Sequence, residues 1–454
     1  MATIDTCRMV RGPRRCDVLS MSQIDSSPGS PPPPPPELAE PAGPVEAGPS
    51  TARLIGVDLA RALAVFGMYA VHLGPAPTAV SGFGGWLLGL AEGRASALFA
   101  TLAGFSLMLI AGRLEPKTGL AGRQARVRIV IRAVILFAMG VLLAMTDAGT
   151  VVILSYYGVY FLLALPLLRL RAKTLAIIAA VLAVVTPLAK FGLTTLVSGP
   201  VMETINAYDP LKRLSEIGVL DLLLSGLYPT ITWMTFVVAG MALGRADLDS
   251  SAVRRRLAAI GAALIAFGYG VPWLLTRFID GLREAAEQPW GRGAEKAGSA
   301  AVKTLGEGGK AMAEGGKSMV EGGPKGMDGS GWGLLLARPH SSSTFDLVGS
   351  VGIAIIVLVG ATVLLTRLSW LRRLMTPVIA VGTMSLTLYV GHFLVGAQFG
   401  ALGKGQGTGN NSAMVLFWFI IGATVFAWLW SRFFRRGPLE YLLHLATKAA
   451  KFVR

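Results

Sequence analysis

One apolar stretch, RLIGVDLARALAVFGMYAVHLG from Arg53 to Gly74, carries Asp58, Arg61 and His72. A charge at the centre of a membrane-spanning helix costs roughly 2.5–3.5 kcal/mol on insertion scales, so an ionisable residue there is first of all a functional signal. Arg61 and His72 are eleven residues apart. At 3.6 residues per turn that is three turns plus about 20°, so the two share a helix face about 16 Å apart along the axis. Asp58 lies within about 60° of that face and, three residues before Arg61, can partly neutralise it. The chemistry open to such a histidine is proton transfer or nucleophilic attack. The plainer alternative is that Arg61 and His72 snorkel to opposite interfaces, which does not require a shared face.

Two further histidines fall on the same side of the expected topology. His340 stands in Arg338-Pro-His-Ser-Ser-Ser-Thr344, just before an apolar run, and His392 in Thr387-Leu-Tyr-Val-Gly-His392, in the outer half of another. A lone histidine near a helix end is more often interfacial than catalytic, but three that can meet at one depth point to a site. No pair has i,i+3 or i,i+4 spacing and no acidic or cysteine ligand accompanies them, so no metal is expected. Tyr156 and Tyr157, beside Ser155, and Thr230, Thr232, Trp233 and Thr235 read as interhelical hydrogen-bonding and interfacial residues that could also line a cavity. Arg94 is placed near the outer face, and His444, in the final segment, is expected to be inert.

The elements that must position these residues are membrane helices. The 454-residue chain is 53% hydrophobic and 15% charged, with mean hydropathy +0.59. Soluble domains carry about 25% charged residues, so this surface is too apolar to face water. Ten spans are expected, at about 54–74, 93–112, 129–146, 150–168, 174–191, 219–243, 257–276, 346–366, 376–398 and 412–431. The net charge of +16 does not imply nucleic acid, because its basic residues cluster in alternate connections. Arg113 to Arg128, Arg169 to Lys173, Arg245 to Arg256, Arg367 to Arg373 and Arg432 to Arg436 follow every second span. By the positive-inside rule this expects an all-α, polytopic protein with both termini in the cytoplasm.

Five segments follow. Residues 1–52 read as a polar, Pro-rich cytoplasmic tail without a legible signal peptide, holding Cys7, Cys16 and the prolines 31–36. Residues 53–276 hold the first seven spans, 277–345 a Gly-rich extracytoplasmic insertion, 346–436 the last three spans, and 437–454 an amphipathic tail lying on the inner surface. The insertion's heptads, Glu307-Gly-Gly-Lys, Glu314-Gly-Gly-Lys and Glu321-Gly-Gly-Pro, read as a mobile lid or spacer. Gly316-Lys317-Ser318 is not a phosphate-binding loop, since Ala311 stands where that motif needs glycine.

Six segments in order carry a family resemblance: RLIGVDLARALAVFGMYAVHLG, GRASALFATLAGFSLML, ILSYYGVYFLLALPLLRL, YPTITWMTFVVAGMALGRADL, ARPHSSSTFDLVGSVGIAI and VGTMSLTLYVGHFL. Together they resemble the YeiB-like bacterial membrane proteins grouped with the heparan-alpha-glucosaminide N-acetyltransferase catalytic domain, over most of residues 53–435 apart from the insertion. The resemblance implies a transmembrane acyltransferase that takes acetyl from acetyl-CoA on the cytoplasmic side and delivers it to a sugar on the far side. The spacing of Arg61 and His72 is similar to the Arg/His motif of the wider membrane acyltransferases. On that basis His72 is expected as general base or transient acyl carrier, Arg61 as an anchor for CoA phosphates and Asp58 as the residue orienting Arg61. His340, His392, Tyr156, Tyr157 and Arg94 are the expected substrate-binding set.

The expected partners are the bilayer and a cell-envelope sugar or glycolipid, in the cytoplasmic membrane of a bacterium. The Ala, Gly, Val and Arg bias points to a high-GC bacterium, and the wording of the motifs resembles that of actinobacterial proteins. The rival reading is a transporter or flippase for a small polar or lipid-linked solute. Its expected sign, a repeat between the halves or paired broken helices, is not legible.

Overall fold

The computed structural model of the protein describes residues 51–148, 152–197, 199–215, 217–288, 331–398 and 412–453, which hold helices and turns and no strand. The proline tail, its cysteines and the Glu-Gly-Gly heptads lie outside the described residues.

The chain runs through α1 (Thr51–Leu73), α2 (Gly82–Ala91), α3 (Arg94–Ala111) and α4 (Gly119–Leu143). After α5 (Leu154–Ala164) and α6 (Ala172–Leu196) come the short α7 (Gly199–Tyr208) and α8 (Pro210–Ser215). Next are α9 (Thr230–Gly244), α10 (Ser251–Ile265), α11 (Val271–Leu275) and α12 (Asp280–Glu287). The last stretch holds α13 (Thr344–Arg367), α14 (Ser369–Leu374), α15 (Thr376–Thr383), α16 (Ser385–Gln398), α17 (Ala413–Phe433) and α18 (Pro438–Thr447).

Among the described residues seven helices, with α2 and α3 taken together, are long and apolar enough to cross a membrane. The bent pair α15–α16 makes an eighth, and two shorter apolar helices run over Leu154–Arg169 and Thr230–Gly244. The protein is therefore a multi-pass membrane protein whose environment is a lipid bilayer.

Position in the bundle follows composition. The helices α3 and α9 are enclosed on nearly every side, as expected of helices that, apart from Arg94 at the start of α3, are apolar all round with mainly small or hydroxyl polar groups. By contrast α17 fully buries only Ala427 and offers Phe417, Trp418, Ile421 and Phe426 outward.

Three elements depart from the expected spans, each for a local reason. The third begins at Gly119 rather than 129, so Arg123, Arg126, Arg128 and Arg132 ride on α4 itself. Arginine is a good helix former and its long stem lets the charge reach out of the apolar layer, so hydropathy underestimates the helix. The sixth is interrupted between the turn Asp221–Ser225 and α9, where Pro229 precedes the first helical residue. The ninth is bent by 85° between Thr383 and Ser385. There α15 presses onto α1 so closely that a Cβ on Gly382 would lie 1.7 Å from the carbonyl oxygen of Asp58. Only glycine permits that approach.

Candidate functional site

The outer end of α1 delivers His72 to α16. Its Nδ1 is 2.9 Å from Nε2 of His392. The ring centroids are 5.1 Å apart with planes inclined by 13°, which sets the rings edge to edge in nearly one plane, so that an N–H points at a lone pair. Aromatic rings hold this pair. Tyr69, one turn before His72, lies 4.9 Å from the His392 ring and donates its hydroxyl to the carbonyl of Leu388 at 2.9 Å. Phe393 and Tyr389 lie 4.1 and 5.3 Å from His392. Nδ1 of His392 is enclosed and makes no hydrogen bond. Either nitrogen of the His72–His392 contact can carry its proton. With the proton on Nδ1 of His72, His392 Nε2 accepts it and the basic lone pair of His72 is on Nε2.

His340 approaches from the other side. It and His72 line one small cavity with Tyr228, Ser96 and Gly93. Its ring lies over Trp233 at 5.8 Å and edge-on to Tyr228 at 5.4 Å. Gly93 (φ +70°) makes room for the loop, since a Cβ there would meet Pro339 at 3.1 Å. The loop is strained, with His340 at φ +60° and Ser342 at φ +57°, a region that residues with a Cβ enter at a cost of order 1–3 kcal/mol. The next helix holds it in place. Ser343 caps α13 by accepting from the N–H of Asp346 at 3.1 Å and donates to the carbonyl of Leu336 at 2.6 Å. Arg338, two residues before His340, donates to the carbonyls of Ala285 and Gln288 at the end of α12. Enclosure by these rings pushes His340 down to about 4, with Leu227 backbone opposing and the Lys190 charge adding to the effect. Its Nδ1 is enclosed and makes no hydrogen bond. His340 is thus a neutral imidazole at physiological pH.

A second polar chain runs beside this cluster. Arg94 donates to the carbonyl of Gly89 at 2.9 Å and to the Tyr269 hydroxyl at 3.1 Å. Tyr269 meets Ser350 at 3.3 Å, and Ser350 meets Asp346 at 3.4 Å. Lys190 of α6 is buried, feels the charge of Asp346, and its Nζ makes no hydrogen bond. Arg94 is therefore engaged in this chain rather than facing the histidine pair. Tyr156 and Tyr157 lie deeper still. Tyr157 stacks on Phe99 at 5.6 Å and Tyr156 sits edge-on to Tyr228 at 5.4 Å, and both hydroxyls are enclosed without a hydrogen bond.

Arg61 and Asp58 occupy the opposite end of α1. Arg61 donates to Asp58 Oδ1 at 2.8 Å and to Ser106 Oγ at 2.7 Å. Their separation from His72 follows from the helix rise, so the polar stripe serves two places, not one. Among the described residues no group of three or more His, Cys, Asp or Glu side chains is placed to hold a metal.

Residues 53–268 match the family model described as heparan-alpha-glucosaminide N-acetyltransferase, catalytic, and residues 330–450 match that described as protein of unknown function (DUF418). The chain is thus similar to both families, each over a separate part of its length. The catalytic-domain match suggests a membrane acetyltransferase family. No curated protein matches the chain.

The two matched segments of the chain meet at the histidines. His72 comes from the first, while His340 and His392 come from the second, so neither segment alone contains the cluster. Trp233 was expected only as an interhelical or interfacial residue that could line a cavity, and Tyr69, Tyr228 and Tyr389, which also enclose the imidazoles, were not among the residues expected from sequence, because aromatic residues in apolar runs read as packing. Lys190 and Asp346 were also missed. Their signal is present, since each is a lone charge in an otherwise apolar stretch.

Proposed function

We propose that the protein transfers an acyl group, acetyl from acetyl-CoA, to a sugar or glycolipid across the cytoplasmic membrane of a bacterium. Both termini lie in the cytoplasm, and His72 acts near the far face. The observation that carries this reading is the 2.9 Å contact between His72 Nδ1 and His392 Nε2 on the helix that also bears Arg61. A histidine oriented by a hydrogen bond at one nitrogen is the arrangement that general-base catalysis needs at the other.

In the transfer step, Nε2 of His72 takes the proton from the acceptor hydroxyl or amine. The acceptor heteroatom bonds to the acyl carbon, the carbon–sulfur bond breaks with its electron pair on sulfur, and the imidazolium returns the proton to that thiolate. His392 positions His72, and neutral His340 binds the acceptor by hydrogen bonds. Arg61, held by Asp58, anchors the donor at the other end of α1.

Detergent-purified protein given radiolabelled acetyl-CoA and cell-envelope glycolipid tests this. Label in the lipid fraction, lost in His72→Ala at unchanged thermal stability, is the expected result. Unchanged transfer by His72→Ala removes the mechanism. A transporter or flippase is the second reading, favoured by the 85° break between α15 and α16, since broken helices line transport sites. Solute flux through vesicles without acetyl transfer selects it.

A further inference from the structure

The charges at the Arg61 end of α1 do not balance. Asp58 is paired with Arg61 at 2.8 Å. One helix away, Arg132 on α4 makes no ion pair among the described residues, and its Nε is enclosed without a hydrogen bond. The charges that act on Arg132 are those of Arg61, Arg436 and Arg128, all positive. The C-terminal segment packs against α4 and extends the cluster, because His444 of α18 lies in the field of Arg436, Lys448, Arg132 and Arg128. The nearby carboxylate of Glu440 is used elsewhere. It accepts from the backbone N–H groups of Leu386 and Thr387 at 2.8 and 3.1 Å and from the Thr387 hydroxyl at 2.5 Å.

The positive-inside rule accounts for exposed basic residues at an inner interface, and Arg436 and Lys448 are such residues. It does not account for Arg132, a half-buried residue of α4 whose Nε is enclosed and whose permanent charge lies among like charges. A half-buried guanidinium among like charges and without a carboxylate is a costly arrangement that a bound anion relieves. Several guanidiniums in one another's field, with one carboxylate among them engaged by Arg61, match a phosphate ester, whose oxygens accept paired N–H donors and whose charge exceeds that of a carboxylate.

We propose that Arg61, Arg128, Arg132 and Arg436, closed over by Lys448 of the C-terminal segment, form a binding site for a phosphate-bearing ligand, with Arg132 as its central anchor. The site stands whether or not the acyl-transfer reading does. Where that reading holds, this is where the donor's phosphates sit, some three helical turns from His72.

The test uses the full chain in phosphatidylcholine nanodiscs. Calorimetry measures binding of CoA, dephospho-CoA and pyrophosphate to wild type, Arg132→Gln, Arg132→Lys and His72→Ala, with thermal unfolding confirming that each variant is folded. Expected are CoA binding displaced by pyrophosphate, at least tenfold weaker binding in Arg132→Gln, an intermediate loss in Arg132→Lys, and unchanged binding in His72→Ala. A parallel set with phosphatidylglycerol, read by native mass spectrometry, separates the sources. Arg132-dependent retention of anionic lipid without CoA binding assigns the site to a lipid headgroup. Arg132-dependent binding of CoA or pyrophosphate together with absent acetyl transfer keeps the site and removes the enzymatic reading. Binding of CoA, pyrophosphate and anionic lipid that is equal in wild type and a folded Arg132→Gln overturns the proposal.

Discussion

The two ends of α1 solve the burial of polar groups in opposite ways. At the outer end the imidazoles are enclosed by aromatic rings and answer one another, His72 to His392 at 2.9 Å. The set is neutral and close to complete in itself. At the inner end Arg61 has Asp58, but Arg132 is surrounded by positive charge. A neutral, oriented group is suited to take and return a proton, whereas surplus charge is suited to hold an ion. On that contrast rests the proposal of chemistry at the first end and binding at the second.

The largest expected effect separates those roles kinetically. His72→Ala removes the proton acceptor, so kcat falls by about 10²–10⁴-fold with KM for acetyl-CoA little changed. Arg61→Gln acts on the donor, so KM for acetyl-CoA rises while kcat at saturation is largely kept. Steady-state kinetics of the two variants side by side is the measurement. Equal losses in kcat would merge the two ends into one site.

How far each end is legible in the sequence differs for the same physical reason. The stripe of Asp58, Arg61 and His72 is readable because helix geometry converts spacing directly into position. The membrane class is readable because a span needs a long apolar run. The meeting of His72 with His392 is not, since 320 residues separate them and no local rule states which helices pack together. The same holds for Arg132 and the C-terminal segment. The bend in the ninth span is hidden because VGTMSLTLYVGHFL remains apolar across it. Gly382 is its faint trace, meaningful only once α1 is known to lie against it.

That glycine joins the two ends, which makes it the next place to disturb. A side chain at Gly382 collides with the Asp58 carbonyl, 1.7 Å from the position of a Cβ. Gly382→Val is expected to destabilise the protein by about 1–3 kcal/mol or more, read as a lowered thermal midpoint in detergent. Since α15 leads into α16, transfer should fall along with stability. A midpoint equal to wild type would mean that the α1–α15 contact is looser than its geometry implies.

The neutrality of the outer end gives a smaller, pH-dependent effect. Enclosure brings His340 down to about 4, whereas in the unfolded chain it titrates near 6.5. The unfolded state therefore binds the extra proton first as the pH falls. The stability contribution of neutral His340 is whole above about pH 6.5 and is lost progressively toward pH 4. His340→Asn keeps a side chain that tolerates positive φ and cannot titrate. Between pH 6.5 and 4 its thermal midpoint should fall less steeply than that of wild type, and parallel curves would show that enclosure leaves His340 titrating as it does in the unfolded chain.

The smallest effect belongs to the inner end and separates framework from ligand site. Glu440 meets the first N–H groups of α16, where a carboxylate faces the positive end of a helix dipole. Glu440→Gln keeps the shape and an acceptor oxygen but removes the charge, so a loss of about 0.3–1 kcal/mol is expected, seen as a small drop in the thermal midpoint. Phosphate-ligand binding should be kept or slightly strengthened, because removing a carboxylate beside the arginines makes that end more positive. Binding that weakens in proportion to stability would show instead that α18 must be held by Glu440 for the arginine cluster to form, which would join the two functions this end otherwise keeps apart.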